Sequence, residues 1–252
     1  MIRKDRINEM KGKDRIIVAL DVPTLEKAQK LVEELYKHVG MFKVGLQLLH
    51  SEGTPRVVKT IQKAGGKVFV DAKLHDIPNT VAKASEAISS LGVEMFNVHA
   101  SGGTKMMEAA VENKKDSRVL AVTVLTSLGE REVDSLYGTS VTTKVLHLAM
   151  EAILARVDGI ICSSKELNVL KRETELVNFL YVTPGIRPEW AERSDQKRVT
   201  TPAEAIFNGA DYLVIGRPIT NPPREIGTPI NAAKRIIQEI EAIENRILER
   251  GC

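Results

Sequence analysis

Three charged residues follow one apolar run in the segment KVFVDAKLHDIPNT, residues 67–80. Residues 68–70 have the composition of a buried strand, and Asp71, Lys73 and Asp76 lie directly after them. Side chains two positions apart on a strand point to the same side, so Asp71 and Lys73 are expected to project together. Neighbouring opposite charges keep each other ionised in a semi-buried place. The segment therefore predicts a lysine that supplies a proton and a positive field, although a solvated ion pair would use the same residues.

A second lysine, Lys43, lies inside the preceding apolar run MFKVG. If Lys43 faces inward on a neighbouring strand, it adds a second cation to the cluster, while Asp76 in the following loop adds a second anion. At a separation of about 4 Å and an effective dielectric of about 20, each pair interaction is worth about 4 kcal/mol. A cluster of this kind is costly to desolvate, so a catalytic role explains it better than a gain in stability.

The order of elements predicts how these residues are brought together. Short β-branched runs recur along the chain, and a longer segment with helical periodicity follows each one, as in parallel sheets whose strands are buried on both faces. The runs are RIIVAL (15–20), MFKVG (41–45), KVFVDAK (67–73), MFNVHA (95–100), VLAVTVL (119–125), GIICS (159–163), NFLYVTPG (178–185) and YLVIG (212–216). Eight such units in 252 residues favour a single-domain α/β protein, a (β/α)8 TIM barrel, over an open doubly wound sheet of about five or six strands.

Polar residues lie at the carboxyl ends of these predicted strands. In a (β/α)8 barrel those ends converge on one mouth, where the active sites of such barrels lie. Residues far apart in the sequence are therefore expected to share one pocket. The polar residues at the strand ends are Asp21, Lys43, Asp71, Lys73, His99, Ser101, Thr126, Ser127 and Arg217.

Two segments late in the chain favour a phosphate ligand. In DYLVIGRPIT, Gly216 and Arg217 follow the eighth predicted strand and precede a short helix. Loops after the last two strands of such barrels commonly bind phosphate through backbone N–H groups, and an arginine adds a bidentate partner. Residues 187–200 are polar and contain the chain's only tryptophan, which suits a lid over the mouth. The simpler alternatives are a glycine that closes a turn and a long exposed loop.

The composition narrows the class of protein. The 36 basic and 33 acidic residues are scattered along the chain and aromatic residues make up 4% of it, so nucleic-acid binding gains little support while an anionic small molecule fits. Cys162 in an apolar run, expected to pack as a small hydrophobe, and Cys252 at the last position form neither a disulfide framework nor a metal cluster. The N-terminal segment is too charged for a secretory signal, and no apolar run approaches the ~20 residues of a membrane span. A cytoplasmic protein is expected.

With these residues in view, the chain resembles the orotidine 5'-monophosphate decarboxylase family. The match runs from RIIVALDVP to VIGRPIT and contains the signature VFVDAKLHDIPNT intact. Residues 1–13 lie outside the family pattern as an N-terminal extension, and residues 14–252 form the predicted barrel. The resemblance implies decarboxylation of orotidine 5'-monophosphate (OMP) to UMP and carbon dioxide, the last step of de novo pyrimidine nucleotide synthesis, without a cofactor or a metal ion.

The resemblance also implies a role for each charged residue. Lys73 is the implied general acid that protonates the ring carbon after carbon dioxide leaves, with Asp71 beside it and Lys43 and Asp76 completing the network. The family's pocket is completed across a homodimer, so Asp76 and Thr80 would reach the site of the other subunit. The other implied substrate contacts are Asp21 and Lys43 at the ribose, Thr126 and Ser127 at the pyrimidine, and Arg187, Gln196, Gly216 and Arg217 at the phosphate.

Two other functions stay open at this point. Magnesium-dependent sugar-phosphate decarboxylases and aldolases of the same barrel superfamily share the Asp-x-Lys-x-x-Asp spacing but differ after it, where this chain has LHDIPNT. A catalytically silent nucleotide-binding barrel is the other alternative, although it would have no physical reason to keep four charges in a pocket. His75 and Asp76 resemble a metal-binding pair, but no second histidine pair accompanies them at ligand spacing, so a metal site is not expected.

Overall fold

The computed structural model describes residue 10 and residues 12–177, 179–191 and 199–249. Each strand within these residues is a short run of mostly β-branched or other apolar residues, which suits a strand covered on both faces. The strands are Ile16–Ala19 (β1), Met41–Val44 (β2), Val68–Leu74 (β3), Met95–His99 (β4), Arg118–Val122 (β5), Gly159–Ile161 (β6), Leu180–Thr183 (β7) and Tyr212–Ile215 (β8).

The strands form a closed parallel barrel. Each strand pairs with the next one along the chain, and β8 pairs back onto β1, so no sheet edge is left open. The predicted (β/α)8 barrel is therefore confirmed, and the open doubly wound sheet is excluded. The predicted strand ends differ by a few residues: β5 was expected to reach residue 125 but ends at Val122, where the chain leaves the sheet and continues to a turn at residues 126–127.

Helices connect the strands and cover the outside of the barrel. Their bounds are Leu25–Leu35 (α1), Leu46–Glu52 (α2), Thr54–Lys63 (α3), Pro78–Ser89 (α4), Thr104–Glu112 (α5), Glu130–Tyr137 (α6), Val141–Leu154 (α7), Ser164–Leu170 (α8), Pro202–Phe207 (α9), Arg217–Thr220 (α10) and Pro229–Glu249 (α11). Among the helices of the described residues, none combines the length and the apolar character that crossing a membrane would require.

A side-chain cap and an apolar stripe define the start and the packing of two of these helices. The side chain of Thr24 caps α1 by accepting a hydrogen bond from the backbone N–H of Lys27 at 3.3 Å. On α11, Ile236 and Ile240 are fully buried, and Ile243 is partly buried against the same core. Burying one such side chain stabilises the fold by about 1.5–3 kcal/mol, so these stripes fix the helices on the barrel.

The strands alternate between two apolar layers. On β1, Ile16 and Val18 pack outward under the helices, whereas Ile17 and Ala19 belong to a second cluster that fills the barrel interior. The interior cluster consists of Ile17, Ala19, Met41, Phe69, Met95, Leu120, Leu180, Val182, Tyr212 and Val214. Because these side chains plug the barrel, polar residues that face inward nearer the carboxyl ends of the strands must line the mouth.

Candidate active site

A cavity of about 460 Å³ opens at the carboxyl ends of the strands. It combines an apolar lining from the top of the barrel interior with polar side chains from several strands and loops. The apolar lining includes Ala19, Phe69, Val122, Ile161, Cys162 and Val214, and the polar lining includes Asp21, Lys43, Asp71, Lys73, Asn97, Thr126, Arg187, Arg217 and Thr220. The cavity is therefore at the end of the barrel where catalytic residues of this fold lie.

Four residues on the cavity wall form a row of alternating charges. The Lys73 Nζ atom donates a hydrogen bond to Asp71 Oδ1 at 2.6 Å, and the Lys43 Nζ atom lies 2.9 Å from Asp71 Oδ2. Lys43 Nζ is also 3.4 Å from Asp21 Oδ1. We call Asp21, Lys43, Asp71 and Lys73 the charged array. The structure thus brings together the two lysines and Asp71 as expected, but the fourth member in this chain is Asp21 and not Asp76.

Both buried members at the centre of the array are held in their charged forms. Asp71 is 7% exposed and Lys43 is 9% exposed. Burial acts to raise the pKa of Asp71, but the ammonium groups of Lys43 and Lys73 and the hydrogen bonds from Lys73 and Asn97 outweigh it and lower this pKa to about 2. Burial acts to lower the pKa of Lys43, yet the carboxylates of Asp71 and Asp21 raise it overall. Both side chains are therefore ionised near neutral pH.

The period of the strands places the charges one layer above the apolar plug. On β2, Met41 belongs to the interior cluster and Lys43 follows two positions later. On β3, the same relation holds between Phe69 and Asp71. Because β2 and β3 are paired with Lys43 opposite Phe69, the two charged side chains emerge on neighbouring strands at the same mouth.

The backbone at Lys73 departs from a regular strand. Lys73 has a φ of +50°, in the left-handed region that a residue with a Cβ seldom adopts. The pairing of β3 with β4 shifts register between Val70 and Leu74, as it does at a β-bulge. Asp71 and Lys73 do lie together, but through this irregular backbone and not through the regular two-residue alternation that the sequence predicts.

Two arginines line the same cavity as the charged array. Arg187 is buried, its backbone N–H donates to the Thr200 carbonyl at 2.8 Å, and its Nη1 donates to the Ile186 carbonyl at 3.0 Å. Arg217 begins α10, directly after Gly216 at the end of β8. Guanidinium groups bind phosphate through paired N–H donors, so this part of the cavity suits a phosphate group.

Some of the predicted site residues do not line the cavity of this chain. Asp76 and Thr80 are exposed and lie before and within α4, outside the cavity wall. Thr126 is on the wall, whereas the adjacent Ser127 is exposed and is not part of it. Gln196 lies outside the described residues, as do the other residues of 192–198, which make up half of the segment predicted as a lid.

Residues 14–236 match a family model described as "Orotidine 5'-phosphate decarboxylase / HUMPS family". The chain belongs to this family. It is 46% identical over 246 residues to the orotidine 5'-phosphate decarboxylase of Moorella thermoacetica, a match that covers 93% of this chain and 95% of the relative. The enzyme of the same name from Syntrophomonas wolfei is 44% identical, with coverage of 92% and 100%.

Solved structures of the orotidine 5'-phosphate decarboxylase family have the same fold. The crystal structure of the enzyme from Lactobacillus acidophilus aligns with a TM-score of 0.75 at 34% identity, covering 89% of this chain and 98% of that one. The enzyme from Pyrococcus horikoshii aligns with a TM-score of 0.71 at 24% identity, which shows the common fold alone. The family match and the structural alignment therefore agree over most of the chain.

Asn97 lines the candidate active-site cavity of this family member but was not among the residues predicted from the sequence. It is the one amide in the largely apolar run MFNVHA, which was interpreted only as a buried strand. The two-residue alternation of the strand was the signal that could have found it. Asn97 lies two positions after the interior residue Met95, just as Asp71 lies two positions after Phe69, so both side chains point into the barrel. Its side chain is completely buried and contacts both members of the Asp-x-Lys pair.

The residues that could have suggested a metal site do not form a donor cluster in the described part of this family member. Within that part, no group of three or more His, Cys, Asp or Glu side chains is arranged to hold a metal ion. The His75 ring instead packs near the His99 ring, with 5.5 Å between the ring centroids. Chelation provides the direct test for a metal requirement.

Proposed function

We propose that the chain catalyses the decarboxylation of OMP to UMP and carbon dioxide. The observation that carries this proposal is the charged array on the wall of a cavity that also presents Arg187 and Arg217. The arginines suit the 5'-phosphate, and the array offers a preorganised ammonium to a ring carbon that gains negative charge. Curated relatives that are 43–47% identical bear the name orotidine 5'-phosphate decarboxylase, which supports this substrate. The reaction would complete de novo pyrimidine nucleotide synthesis in the cytoplasm.

The proposed reaction breaks the bond between the pyrimidine ring and its carboxylate. The bonding electron pair stays on the ring carbon in the plane of the ring, perpendicular to the π system, so the ring cannot delocalise it. A positive charge fixed beside that carbon therefore strengthens its interaction as the transition state forms. In the proposal, Lys73 provides this charge and then transfers a proton to form the new C–H bond, while carbon dioxide leaves and solvent later reprotonates the amine.

Asp71 has two parts in this proposal. Asp71 accepts a hydrogen bond from Lys73 and forms an ion pair with Lys43. It therefore fixes the direction in which the Lys73 ammonium points. Because its pKa lies at about 2, it is ionised when the substrate carboxylate binds nearby. The like charges repel in the bound substrate, and the repulsion disappears when neutral carbon dioxide forms.

The remaining contacts of the substrate are assigned by the resemblance and by position. Asp21, whose side chain is 65% exposed, and the adjacent Lys43 suit the ribose hydroxyls near the opening of the cavity. Thr126 on the wall is proposed to contact the pyrimidine, together with Ser127. The phosphate contacts are proposed to be Arg187, Gly216 and Arg217, with Gln196, which lies outside the described residues, as a further one.

Replacing Arg217 with alanine is expected to lower kcat/KM for OMP by about a hundredfold or more, because the remote phosphate contact contributes to stabilising the reactive geometry. Steady-state kinetics of the variant measure the loss. The nucleoside orotidine, which lacks the phosphate, provides the decisive comparison: its slow turnover is expected to change less than about threefold in the same variant.

Arg224→Ala is the matched control for this prediction. Arg224 is an exposed arginine seven positions away that does not line the cavity, and its replacement is expected to leave both substrates unaffected. An equal loss of activity on OMP and on orotidine in Arg217→Ala would show that Arg217 does not act through the phosphate.

We further propose that the active sites are shared within a homodimer. Asp76 and Thr80 belong to the family signature but are exposed outside the cavity of their own chain. Between them, Ile77 is 65% exposed, which leaves an apolar side chain in the same stretch for a subunit contact. In a dimer with twofold symmetry, each chain would place Asp76 and Thr80 in the cavity of the other.

Mixing two inactive variants is expected to restore activity if the sites are shared. Lys73→Ala and Asp76→Asn should each be nearly inactive alone, whereas a mixed dimer of the two has one site with both native residues. After subunit exchange at equal concentrations, about a quarter of native activity is expected from random pairing in a twofold dimer. Turnover is measured before and after denaturation and joint refolding.

A second mixture is the control for the exchange experiment. Lys73→Ala and Asp71→Asn change residues of the same cavity wall, so a mixed dimer contains no native site and activity should not return. Recovery in this control, or no recovery with Lys73→Ala and Asp76→Asn in dimers shown to exchange, would contradict a shared site.

The proposed function is tested by identifying the product. Incubation of the native protein with OMP is expected to give UMP and one equivalent of carbon dioxide, measured by chromatography with mass spectrometry. A sugar-phosphate enzyme of the wider family would instead act on hexulose phosphates with added magnesium. A silent barrel would bind UMP and leave OMP unchanged, and either of these two results would overturn the proposal.

A further inference from the structure

Asn97 makes two hydrogen bonds at the centre of the active site. Its Oδ1 accepts from the backbone N–H of Lys73 at 2.7 Å, and its Nδ2 donates to Asp71 Oδ1 at 2.7 Å. The side chain is 0% exposed, although the residue lines the cavity. One buried amide on β4 therefore contacts both functional residues of β3.

The chemistry of the two partners fixes the orientation of this amide. A backbone N–H can only donate, so it requires the carbonyl end of Asn97. An ionised carboxylate can only accept, so Asp71 requires the NH2 end. Among side chains of this size and shape, only an amide or a protonated carboxyl group can satisfy both partners.

The bond to the Lys73 backbone lies at the irregular point of the barrel. The ladder between β3 and β4 shifts register between Val70 and Leu74, and Lys73 lies within the shift with its φ of +50°. A left-handed conformation at a residue with a Cβ is strained by about 1–3 kcal/mol and persists only where surrounding contacts impose it. The carbonyl of Asn97 is one such contact, because it receives the N–H that this conformation directs toward β4.

We infer that Asn97 is a positioning residue, which holds the backbone of Lys73 and the carboxylate of Asp71 so that the Lys73 ammonium points into the cavity. The inference rests on the proposed function, since it concerns the residue to which that function assigns proton donation. Asn97 acts through its two neighbours: one bond selects the backbone conformation from which the lysine side chain departs, and the other fixes the carboxylate oxygen that Lys73 Nζ contacts at 2.6 Å.

Two substitutions separate positioning from packing. Asn97→Leu keeps the approximate volume but removes both hydrogen bonds, and it is expected to lower kcat about tenfold to a hundredfold with a change in KM of less than about threefold. Asn97→Asp keeps the shape and restores both bonds only when the new carboxyl group is protonated, since a carboxylic acid has one donor and one acceptor. Thermal unfolding of each variant establishes that it is folded under the assay conditions.

The pH dependence of Asn97→Asp provides a signature that a packing role would not give. The new carboxyl group would be buried 2.7 Å from the Asp71 oxygen, and two such carboxyl groups hold one proton between them. The titratable groups on the strands around this position are Lys43 on β2, Asp71 and Lys73 on β3, and His99 two positions further along β4, where burial lowers the pKa of the imidazole. The kcat of Asn97→Asp relative to the native protein is therefore expected to rise at least about fivefold from about pH 8 to about pH 5. For Asn97→Leu this ratio should stay constant.

The outcomes distinguish this inference from the proposed function. If the native protein converts OMP and both variants retain native kcat at all pH values, or if Asn97→Asp shows no rise toward acid pH, the positioning role is wrong and the function stands. A crystal structure of Asn97→Leu tests the role without turnover: the φ of Lys73 is expected to leave the left-handed region, and an unchanged φ with an unchanged contact to Asp71 would overturn the inference. If the native protein does not convert OMP, the function fails, and this structure alone decides the role of Asn97. Asn113→Asp, at an exposed position, is the control for an added carboxylate.

Discussion

Lys73→Ala is expected to lower kcat for OMP at least about a thousandfold, which corresponds to about 4 kcal/mol of transition-state stabilisation. The variant removes both the proposed proton donor and the positive charge nearest the ring carbon. It also leaves Asp71, whose contact with Lys73 Nζ measures 2.6 Å, with Lys43 as its only ion-pair partner in the charged array. A preorganised charge in a partly enclosed site is worth more than the same charge in water, so the expected loss is large.

Two further substitutions make this prediction specific. Lys73→Arg keeps the positive charge but holds its proton far more tightly, so it is expected to remain strongly impaired if proton donation matters. Lys67→Ala changes an exposed lysine near the other end of the same strand and should behave like the native protein. A loss of less than about tenfold in Lys73→Ala, in single-turnover kinetics on folded protein, would show that this lysine is not the dominant catalytic group.

Asp71→Asn is expected to lower kcat at least about a hundredfold without removing a cation from the site. The native carboxylate accepts from Lys73 and Asn97 through one oxygen, and its other oxygen lies 2.9 Å from Lys43. An asparagine side chain has one acceptor end only, so its NH2 group must face at least one donor. The two lysines would also lose the carboxylate between them, and the pKa of Lys43, which Asp71 now raises, would fall.

Asp21→Asn is the matched control for Asp71→Asn. Asp21 also belongs to the charged array, but its side chain is 65% exposed and lies 3.4 Å from Lys43, so its replacement should cost much less in kcat. The comparison uses kcat and KM for both variants together with their thermal unfolding. Equal losses in the two variants would show that Asp71 has no special position between the lysines.

The strand pattern explains why so much of the site could be predicted from the sequence. A barrel converts the end of every strand into a position at one mouth, so Lys43, Asp71 and Arg217 could be placed in one pocket before any contact was known. The alternation of inward and outward residues is equally regular, and applied to MFNVHA it would also have indicated Asn97. The position of each strand end and the alternation along each strand are local patterns, so they can be recognised within a few residues of the sequence.

The features that could not be predicted depend on contacts between strands. The left-handed backbone at Lys73 arises where β3 and β4 lose their register, and nothing in the local sequence DAKLHD requires it. Likewise, local spacing alone groups Asp76 with the lysines, and only the resemblance, which assigns Asp76 to the site of the other subunit, agrees with its position outside the cavity of its own chain. Such features are set by pairing partners distant in the sequence.

Metal-free decarboxylation is tested most directly by the ultraviolet absorbance of OMP in the presence of the native protein after exhaustive treatment with a chelator. The orotate absorbance band is expected to decay to completion, UMP is expected to accumulate in equal amount, and added magnesium is expected to leave the rate unchanged. An undiminished absorbance, or a decay that the chelator abolishes and magnesium restores, would contradict metal-free decarboxylation by the charged array.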